Sequence, residues 1–243
     1  MAYRETEHTR AKKTLTRERL LKAARNLVAE QGFAAATAAA VAERSGVAAG
    51  TIYRHFPNKA ELVAEVFRYA TAHEVANVLA ASEALTAAES CSGRIWRAVV
   101  TFAERALRGP QLAYALIAEP VDPRVEQERL HYRLAYAEIF EELIREGMQR
   151  GEFARQDAAL SAAALVGLLA EALIGPLFPG QPEALHAGTA AAIQARTVMS
   201  DSEQQQLIQQ LGALCLRALG SSLSTADLNP ATTITGGHYE QAR

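Results

Sequence analysis

Five side chains able to hold a phosphate group lie close together in one short stretch, which begins at Thr51 and ends at Lys59. Tyr53, Arg54 and His55 stand between them. Hydroxyl, imidazole, ammonium and guanidinium groups all donate hydrogen bonds to phosphate oxygens, and a guanidinium also grips guanine through O6 and N7. Each residue alone is common on a surface or in a core, but their joint spacing favours a site for nucleic acid.

Two short predicted helices position these side chains. Thr37 is suited to cap a helix over residues 38–44, which Ser45-Gly46 breaks because glycine accepts the left-handed backbone of a tight turn. A further helix is predicted over residues 49–56, and Pro57 ends it. Two helices joined in this way form a helix-turn-helix, whose second helix fits the major groove of DNA.

Longer helices flank this pair. The first is predicted over Glu18–Gln31, with Thr16 as its N-cap and Gly32 as its end. A capping-box pattern over residues 58–61 begins another helix, which reaches to about Ala81. The residues expected to pack inward are Val47, Ile52 and Phe56, against Leu27, Val41 and Leu62.

The run from Gly46 to Leu62, GVAAGTIYRHFPNKAEL, closely resembles the signature of the TetR/AcrR family of tetracycline-repressor-like transcriptional regulators. The resemblance extends over residues 16–67 and includes Gly32-Phe33, Thr37 and Val41-Ala42. It implies an all-α fold, with an N-terminal three-helix DNA-binding domain that holds the helix-turn-helix and a larger helical ligand-binding and dimerisation domain. It also implies a repressor, not an enzyme, that binds a palindromic double-stranded DNA operator as a homodimer and is released by a small-molecule effector.

The resemblance assigns DNA contacts to Thr37, Ala49, Gly50, Thr51, Tyr53, Arg54, His55 and Lys59. Gly50 lets the helix backbone approach DNA, Arg54 is the best candidate to read a base, and Lys59 adds a cation beside a helix N-terminus. Alanines at positions 38–40, 48 and 49 depart from the polar residues usual in the family. Methyl contacts, DNA shape or an N-terminal arm over residues 1–15 are therefore expected to add specificity.

Helical patterns continue beyond this region, and no alternation typical of strands occurs. The predicted helices are Arg94–Leu107, Gln111–Ala118, a long helix from after Pro123 through Arg150, Asp157–Ile174 and Ser202–Leu219, with a loop over Gly175–Pro182. The predicted domains are a basic flexible arm (1–15), the helix-turn-helix domain (16–60), the ligand-binding and dimerisation domain (61–221) and a disordered tail (222–243).

A cluster of aromatic and polar residues lies between the helix-turn-helix and the last helices. Such residues commonly line a ligand pocket between helices, so a largely apolar effector is expected, although the aromatic rings could equally form the core. The predicted ligand-binding residues are Trp96, Phe102, Tyr114, Glu119, Tyr132, Tyr136 and Phe140.

The stretch Ala158–Ile174 is the most apolar in the chain, yet it carries Glu171 and falls short of the roughly 20 residues that span a bilayer. We interpret it as a buried helix, with no membrane partner. Small and leucine residues on several of its faces need a partner helix, which the four-helix dimer interface of the family would provide.

Charge divides the chain. Up to Glu65 there are 11 Lys and Arg against 7 Asp and Glu, and the remaining 14 against 20 leave the rest acidic. All the lysines fall in the first part, consistent with a nucleic-acid-binding module.

The two cysteines, Cys91 and Cys215, form no metal-type spacing, and the N-terminus lacks a secretory signal, so a cytoplasmic protein is expected.

Two alternatives stay open at this point. The common catalytic templates are missing and no cofactor or metal is expected, but Glu128-x-x-His131 and Glu183-x-x-His186 each fit the element that helical di-iron enzymes use. The other alternative is a DNA-organising protein without an inducer, which would occupy many genomic sites instead of a few promoters.

Overall fold

The computed structural model describes residues 7–83, 85–86, 88–178 and 199–221. These residues are all-α, as predicted, with no strand among them. The helices are α1 (Glu7–Gln31), α2 (Ala38–Ser45), α3 (Ala49–His55), α4 (Lys59–Ser82), α5 (Cys91–Arg108), α6 (Pro110–Ile117), α7 (Pro123–Gln149), α8 (Ala158–Leu177) and α9 (Asp201–Ala218), with a short 3₁₀ turn at Phe33–Ala35.

Helix α1 is longer than predicted. It extends through residues 7–15, where the sequence predicted a flexible arm, and it begins at Glu7. Thr16 is therefore not an N-cap: its hydroxyl donates to the Lys12 carbonyl at 2.9 Å, inside the helix. No glycine or proline interrupts residues 7–31, so nothing in the sequence stops the helix from growing toward the N-terminus.

Polar caps and one glycine set the boundaries of the helix-turn-helix. The Thr37 hydroxyl accepts a hydrogen bond from a first-turn N–H of α2 at 3.2 Å, and the Asn58 side chain does the same for α4 at 2.8 Å. Gly46 has a φ of 64°, the left-handed conformation that turns the chain between α2 and α3. These predictions are confirmed, except that Glu61 contacts Arg68 instead of completing a capping box.

The core of the N-terminal helices continues into the rest of the molecule. Ile52 and Phe56 are buried against Leu27, Val41 and Leu62, with Val47 half-buried beside them, as predicted. The same core takes in Phe67 of α4 and Leu112 of α6, both beyond residue 60. The N-terminal domain and the helices beyond residue 60, which we call the body, therefore share one packed seam.

Helices α4, α5, α7, α8 and α9 form the body. Helix α5 packs against α4 and α9, and α7 packs against α4 and α8. Gly212 is required where α9 meets α5, because a Cβ added there would lie 2.5 Å from the ring of Trp96. Close helix contact of this kind leaves α9 few alternative positions.

Helix α8 ends three residues later than predicted. It runs through Gly175 and Pro176 to Leu177, so the loop predicted over Gly175–Pro182 begins later. The φ of Pro176 is compatible with the last turn of a helix, and Leu177 extends the buried row of Leu169 and Leu173. By length and composition, α8 is also apolar enough to cross a membrane, and only 28% of its apolar window is buried within one chain. The interpretation as a buried helix thus fails for a single chain.

Candidate nucleic-acid interface and ligand cavity

Helix α3 has one buried and one exposed face. Ile52 and Phe56 hold its inner side in the core, while Ala49, Gly50, Tyr53 and Arg54 are exposed. Tyr53 is 57% exposed, so its ring is free to contact a ligand. A Cβ on Gly50 would meet no atom within 4 Å, so the free protein itself does not require glycine there. The outer face of α3 is available to a ligand as large as DNA.

The remaining predicted DNA-contact residues surround this face. Thr37 and Lys59 are exposed and stand at the N-terminal ends of α2 and α4, where free N–H groups attract anions. Thr51 and His55 are half-buried on α3 itself. All eight predicted residues are thus exposed or half-buried, on α3 or at the N-terminal ends of α2 and α4.

The early turns of α1 add positive charge beside α3. Burial lowers the pKa of His55, and the nearby charges of Lys13 and Arg17 lower it further. Arg17 lies over the Phe56 ring, with its guanidinium carbon 5.2 Å from the ring centre, and pairs with Glu65. The sequence predicted that Lys13 belongs to a flexible arm, whereas it lies on α1, near the end of α3.

A cavity of about 310 Å³ is lined by residues of α4, α5, α6, α7 and α8, together with Arg25 of α1. Four of the seven predicted ligand-binding residues line it: Phe102, Tyr132, Tyr136 and Phe140. Phe102 and Tyr136 meet edge to face, with ring centres 5.5 Å apart. Most of the wall is apolar, as the aromatic cluster predicted.

The other three predicted residues do not line this cavity. Trp96 is buried against Gly212 at the contact of α5 with α9. Tyr114 packs edge to face against Phe178, at a ring distance of 5.5 Å. Glu119 turns its carboxylate toward the N-terminal domain. Sequence spacing placed Trp96 and Tyr114 in the right helices but could not tell which side of each helix faces the cavity, and Glu119 lies in the connection between α6 and α7.

Three polar residues on the cavity wall, Thr71, Glu74 and Arg105, were not predicted from the sequence, unlike the neighbouring Tyr136. Arg105 forms two hydrogen bonds to Glu74, at 2.6 and 3.1 Å. The Thr71 hydroxyl is buried and has no hydrogen-bond partner in the described part of the chain. Burial raises the pKa of the nearby Tyr136 hydroxyl, which therefore stays protonated at neutral pH. Apolar periodicity carries no signal for such residues, because they interrupt it.

The cavity wall touches the N-terminal domain directly. Phe67 lines the cavity and stacks on Phe33, with ring centres 6.1 Å apart. Arg129, also on the wall, donates to the Glu119 backbone carbonyl at 2.8 Å and lies over the Phe67 ring. The Glu119 carboxylate in turn accepts from the Phe33 N–H at 3.1 Å. A ligand in the cavity would thus contact residues that hold the N-terminal domain.

The di-iron alternative gains no support from the described residues, which contain no cluster of three potential metal ligands. Glu128 pairs with Arg68, and His131 is exposed. Glu183 and His186 lie outside the described residues.

Residues 20–66 match the family model of bacterial regulatory proteins, tetR family. No curated protein matches the sequence. Among solved structures, the fatty acid degradation regulator FadR from Bacillus halodurans is similar at 19% identity and a TM-score of 0.63, over 85% of this chain and 97% of that chain. FadR from Bacillus subtilis, in complex with stearoyl-CoA, is similar at 17% identity and a TM-score of 0.62, over 83% and 98%. A protein from Saccharomonospora viridis described as a transcriptional regulator, in complex with choline, is similar at 20% identity and a TM-score of 0.61, over 83% and 95%.

The family match and the structural similarity extend over different lengths of the chain. The family match spans the helix-turn-helix, and the structural similarity extends over the body. Together with the Thr37 cap of α2, the left-handed turn at Gly46 and the exposed face of α3, they show a helix-turn-helix domain of the tetR family of bacterial regulatory proteins over residues 20–66, within an all-α fold shared with the solved structures.

Proposed function

We propose that this chain is a transcriptional repressor that binds a palindromic operator as a homodimer and leaves it when a small molecule fills the body cavity. The observation that carries the proposal is the contact of Phe67 with Phe33, because one ring lines the cavity and the other belongs to the N-terminal domain. The protein acts by binding, without catalysis, in the cytoplasm where its operator lies.

DNA contact divides into two kinds. Thr37, Thr51, Tyr53, His55 and Lys59 hold phosphates and fix the register of the domain on the duplex. Arg54 is exposed on α3 and reads a base in the major groove, while Ala49 and Gly50 bring the helix close to the base edges.

Dimerisation is supported by the outer face of α8, which the described residues leave exposed. Leu160 on that face is 70% exposed, and Gly167 has open space around its α-carbon, which allows a second helix to approach closely. Leu214 on α9 is also exposed, at 41%. Burial of this apolar surface against a second copy, through α8 and α9, matches what the family resemblance implies and gives the two recognition helices that a palindrome needs.

The switch works through competing conformations. Ligand in the cavity contacts Phe67 and Arg129 and so biases the position of α4 and of the link to Phe33. DNA favours the arrangement in which α3 of each copy fits its own half-site. A coupling of about 1–3 kcal/mol changes operator affinity about 5–150-fold.

Relatives with the same fold bind different ligands. One is in complex with stearoyl-CoA and another with choline, an acyl thioester anion and a cation respectively. A shared fold does not fix the ligand, so the effector of this chain must be inferred from its own cavity.

Selection of bound duplexes from a random DNA pool tests the function. We expect an inverted repeat whose half-sites lie about one helical turn apart, bound by two copies of the chain. Equal binding to all duplexes across a salt series would contradict a specific repressor and would favour a DNA-organising protein.

A further inference from the structure

The cavity wall carries more positive charge than an apolar ligand would require. One acid, Glu74, lines it, and the net charge of the ionisable lining residues is therefore +4. The basic lining residues are five arginines: Arg25, Arg105, Arg108, Arg129 and Arg133.

Two of these arginines are already neutralised. Arg105 pairs with Glu74 at 2.6 Å, and Arg129 pairs with Glu126 at 2.6 Å while it also donates to backbone carbonyls at the end of α6. Arg25, Arg108 and Arg133 have no ion pair or hydrogen bond within the ranges that the structure describes. Three guanidinium groups on the wall are thus without an anionic partner.

Arg25 and Arg108 come to the cavity from different elements, α1 and the end of α5, and α1 packs against α6, the helix that follows α5. Arg25 belongs to α1 and is half-buried, and Arg108 is exposed at the end of α5, next to Gly109 and α6. Much of the remaining wall is apolar, with Phe102, Phe140 and Leu169. The cavity therefore combines apolar surface with unpaired cationic side chains.

A second observation indicates a ligand. Thr71 lines the cavity at 5% exposure, and its hydroxyl is the one buried side-chain polar atom without a partner among the described residues. Native proteins rarely leave such an atom unpaired, and an oxygen atom of a bound molecule would satisfy it.

We propose that the cavity binds an amphipathic anion: a carboxylate or phosphate whose apolar body fills the cavity and whose anionic group pairs with Arg25 and Arg108. A guanidinium forms two parallel hydrogen bonds to either anion, which makes it the preferred partner for both. The proposal rests on the proposed ligand-responsive function and adds the chemical class of the effector. Because Arg25 belongs to the N-terminal domain and Arg108 to the body, the anion bridges the two.

Direct titration of the full chain, without DNA, tests this class. The probes share one alkyl chain and differ in the head group: decanoate, decyl phosphate, decanol and decyltrimethylammonium, each below its micellar concentration. We expect the better anion to bind at least about tenfold more tightly than decanol, the effect of one charge-assisted hydrogen bond, and the ammonium compound to bind most weakly. Which anion binds better assigns the head group as carboxylate or phosphate.

Three matched variants locate the anionic group. Arg25→Gln and Arg108→Gln should each weaken the preferred anion about tenfold and leave decanol unchanged. Arg155→Gln removes the same charge from an exposed position outside the cavity and should change neither. Equal binding of decanol and the anions, preference for the ammonium compound, or an equal loss in Arg155→Gln would overturn the proposal.

Operator binding by the same samples separates the two proposals. If decanoate or decyl phosphate binds through Arg25 and Arg108 but leaves operator affinity unchanged, the ligand class stands and the switch fails. If the ammonium compound or decanol fills the cavity and releases DNA, the switch stands and the anion proposal fails.

Discussion

The carboxylate of Glu119 accepts the backbone N–H of Phe33 through both oxygens, at 3.1 and 3.2 Å. The two residues are far apart in sequence: Glu119 follows α6 in the body, and Phe33 follows α1 in the N-terminal domain. Gly32 makes the approach possible, because a Cβ there would lie 2.9 Å from a Glu119 oxygen and its φ is 78°. This contact is a direct polar link between the body and the N-terminal domain.

Replacement of Glu119 by alanine should loosen that link. The Phe33 N–H is buried and has no other acceptor in the described ranges, so Glu119→Ala should lower the free energy of unfolding by about 1–3 kcal/mol. Urea unfolding measures this loss. In the same variant, the effect of a cavity ligand on operator affinity should shrink.

Two further variants control for this result. Glu119→Gln keeps an acceptor oxygen and should retain most of the coupling, and Glu104→Ala removes an exposed carboxylate elsewhere on the body and should change nothing. Undiminished coupling in a folded Glu119→Ala protein would mean that the ligand signal passes through Phe67 alone.

Gly50 offers a test of close approach to DNA. Alanine has open space at this position and favours a helix by about 1 kcal/mol over glycine, so Gly50→Ala should raise the thermal midpoint of unfolding. Operator affinity should nevertheless fall, because the added methyl group would stand between α3 and the base edges. Unchanged affinity in the stabilised variant would exclude a close backbone contact at Gly50.

Lys59 and Arg54 should differ in how they affect sequence preference. Lys59→Ala should weaken binding to all duplexes to a similar extent and reduce the salt slope by about one unit. Arg54→Ala should cost about 1–3 kcal/mol at the operator and relax preference at one base pair. Competition titrations over single-base operator variants measure both effects. The assignment of Arg54 fails if Arg54→Ala also weakens binding to all of these variants equally.

The pH dependence of DNA binding should come from His55. Its pKa is below the ordinary 6.5 in the free protein, because of burial and the charges of Lys13 and Arg17, and an adjacent phosphate raises it in the complex. Binding therefore takes up a proton, and operator affinity should rise as pH falls from about 7.5 toward 6, by at most tenfold per unit. His55→Gln should remove this slope, and an unaltered slope would assign it to another group.

The helix ends and turns of the N-terminal domain were predicted well, because short sequence patterns determine them. The cap at Thr37, the turn at Gly46 and the buried face of α3 each depend on a few neighbouring residues, and the structure confirms them. Helix starts were less predictable: Thr16 is a good cap by type, yet an uninterrupted run of helix-forming residues carries α1 past it.

The cavity was predicted only in part, because its lining depends on how whole helices face each other. Phe102 and Tyr136 were found from the aromatic cluster, whereas Trp96 belongs to the same cluster and faces α9. Arg25 was missed because it lies on a helix assigned to DNA binding, and Thr71 because a lone threonine in an apolar helix has no pattern. Long-range packing, not local propensity, decides such positions.

The unpaired hydroxyl of Thr71 should limit the stability of the ligand-free protein. A buried hydroxyl without a partner is unfavourable by about 1–3 kcal/mol, so Thr71→Val, which replaces it by a methyl group of similar shape, should raise the free energy of unfolding by about 1 kcal/mol. Thr16→Val is the matched control, because that hydroxyl donates to a carbonyl at 2.9 Å and its loss should bring no gain. Urea unfolding of both variants without ligand measures the difference. A loss of stability in Thr71→Val would show that the hydroxyl is already satisfied by water in the free protein, and that the cavity does not reserve it for a ligand.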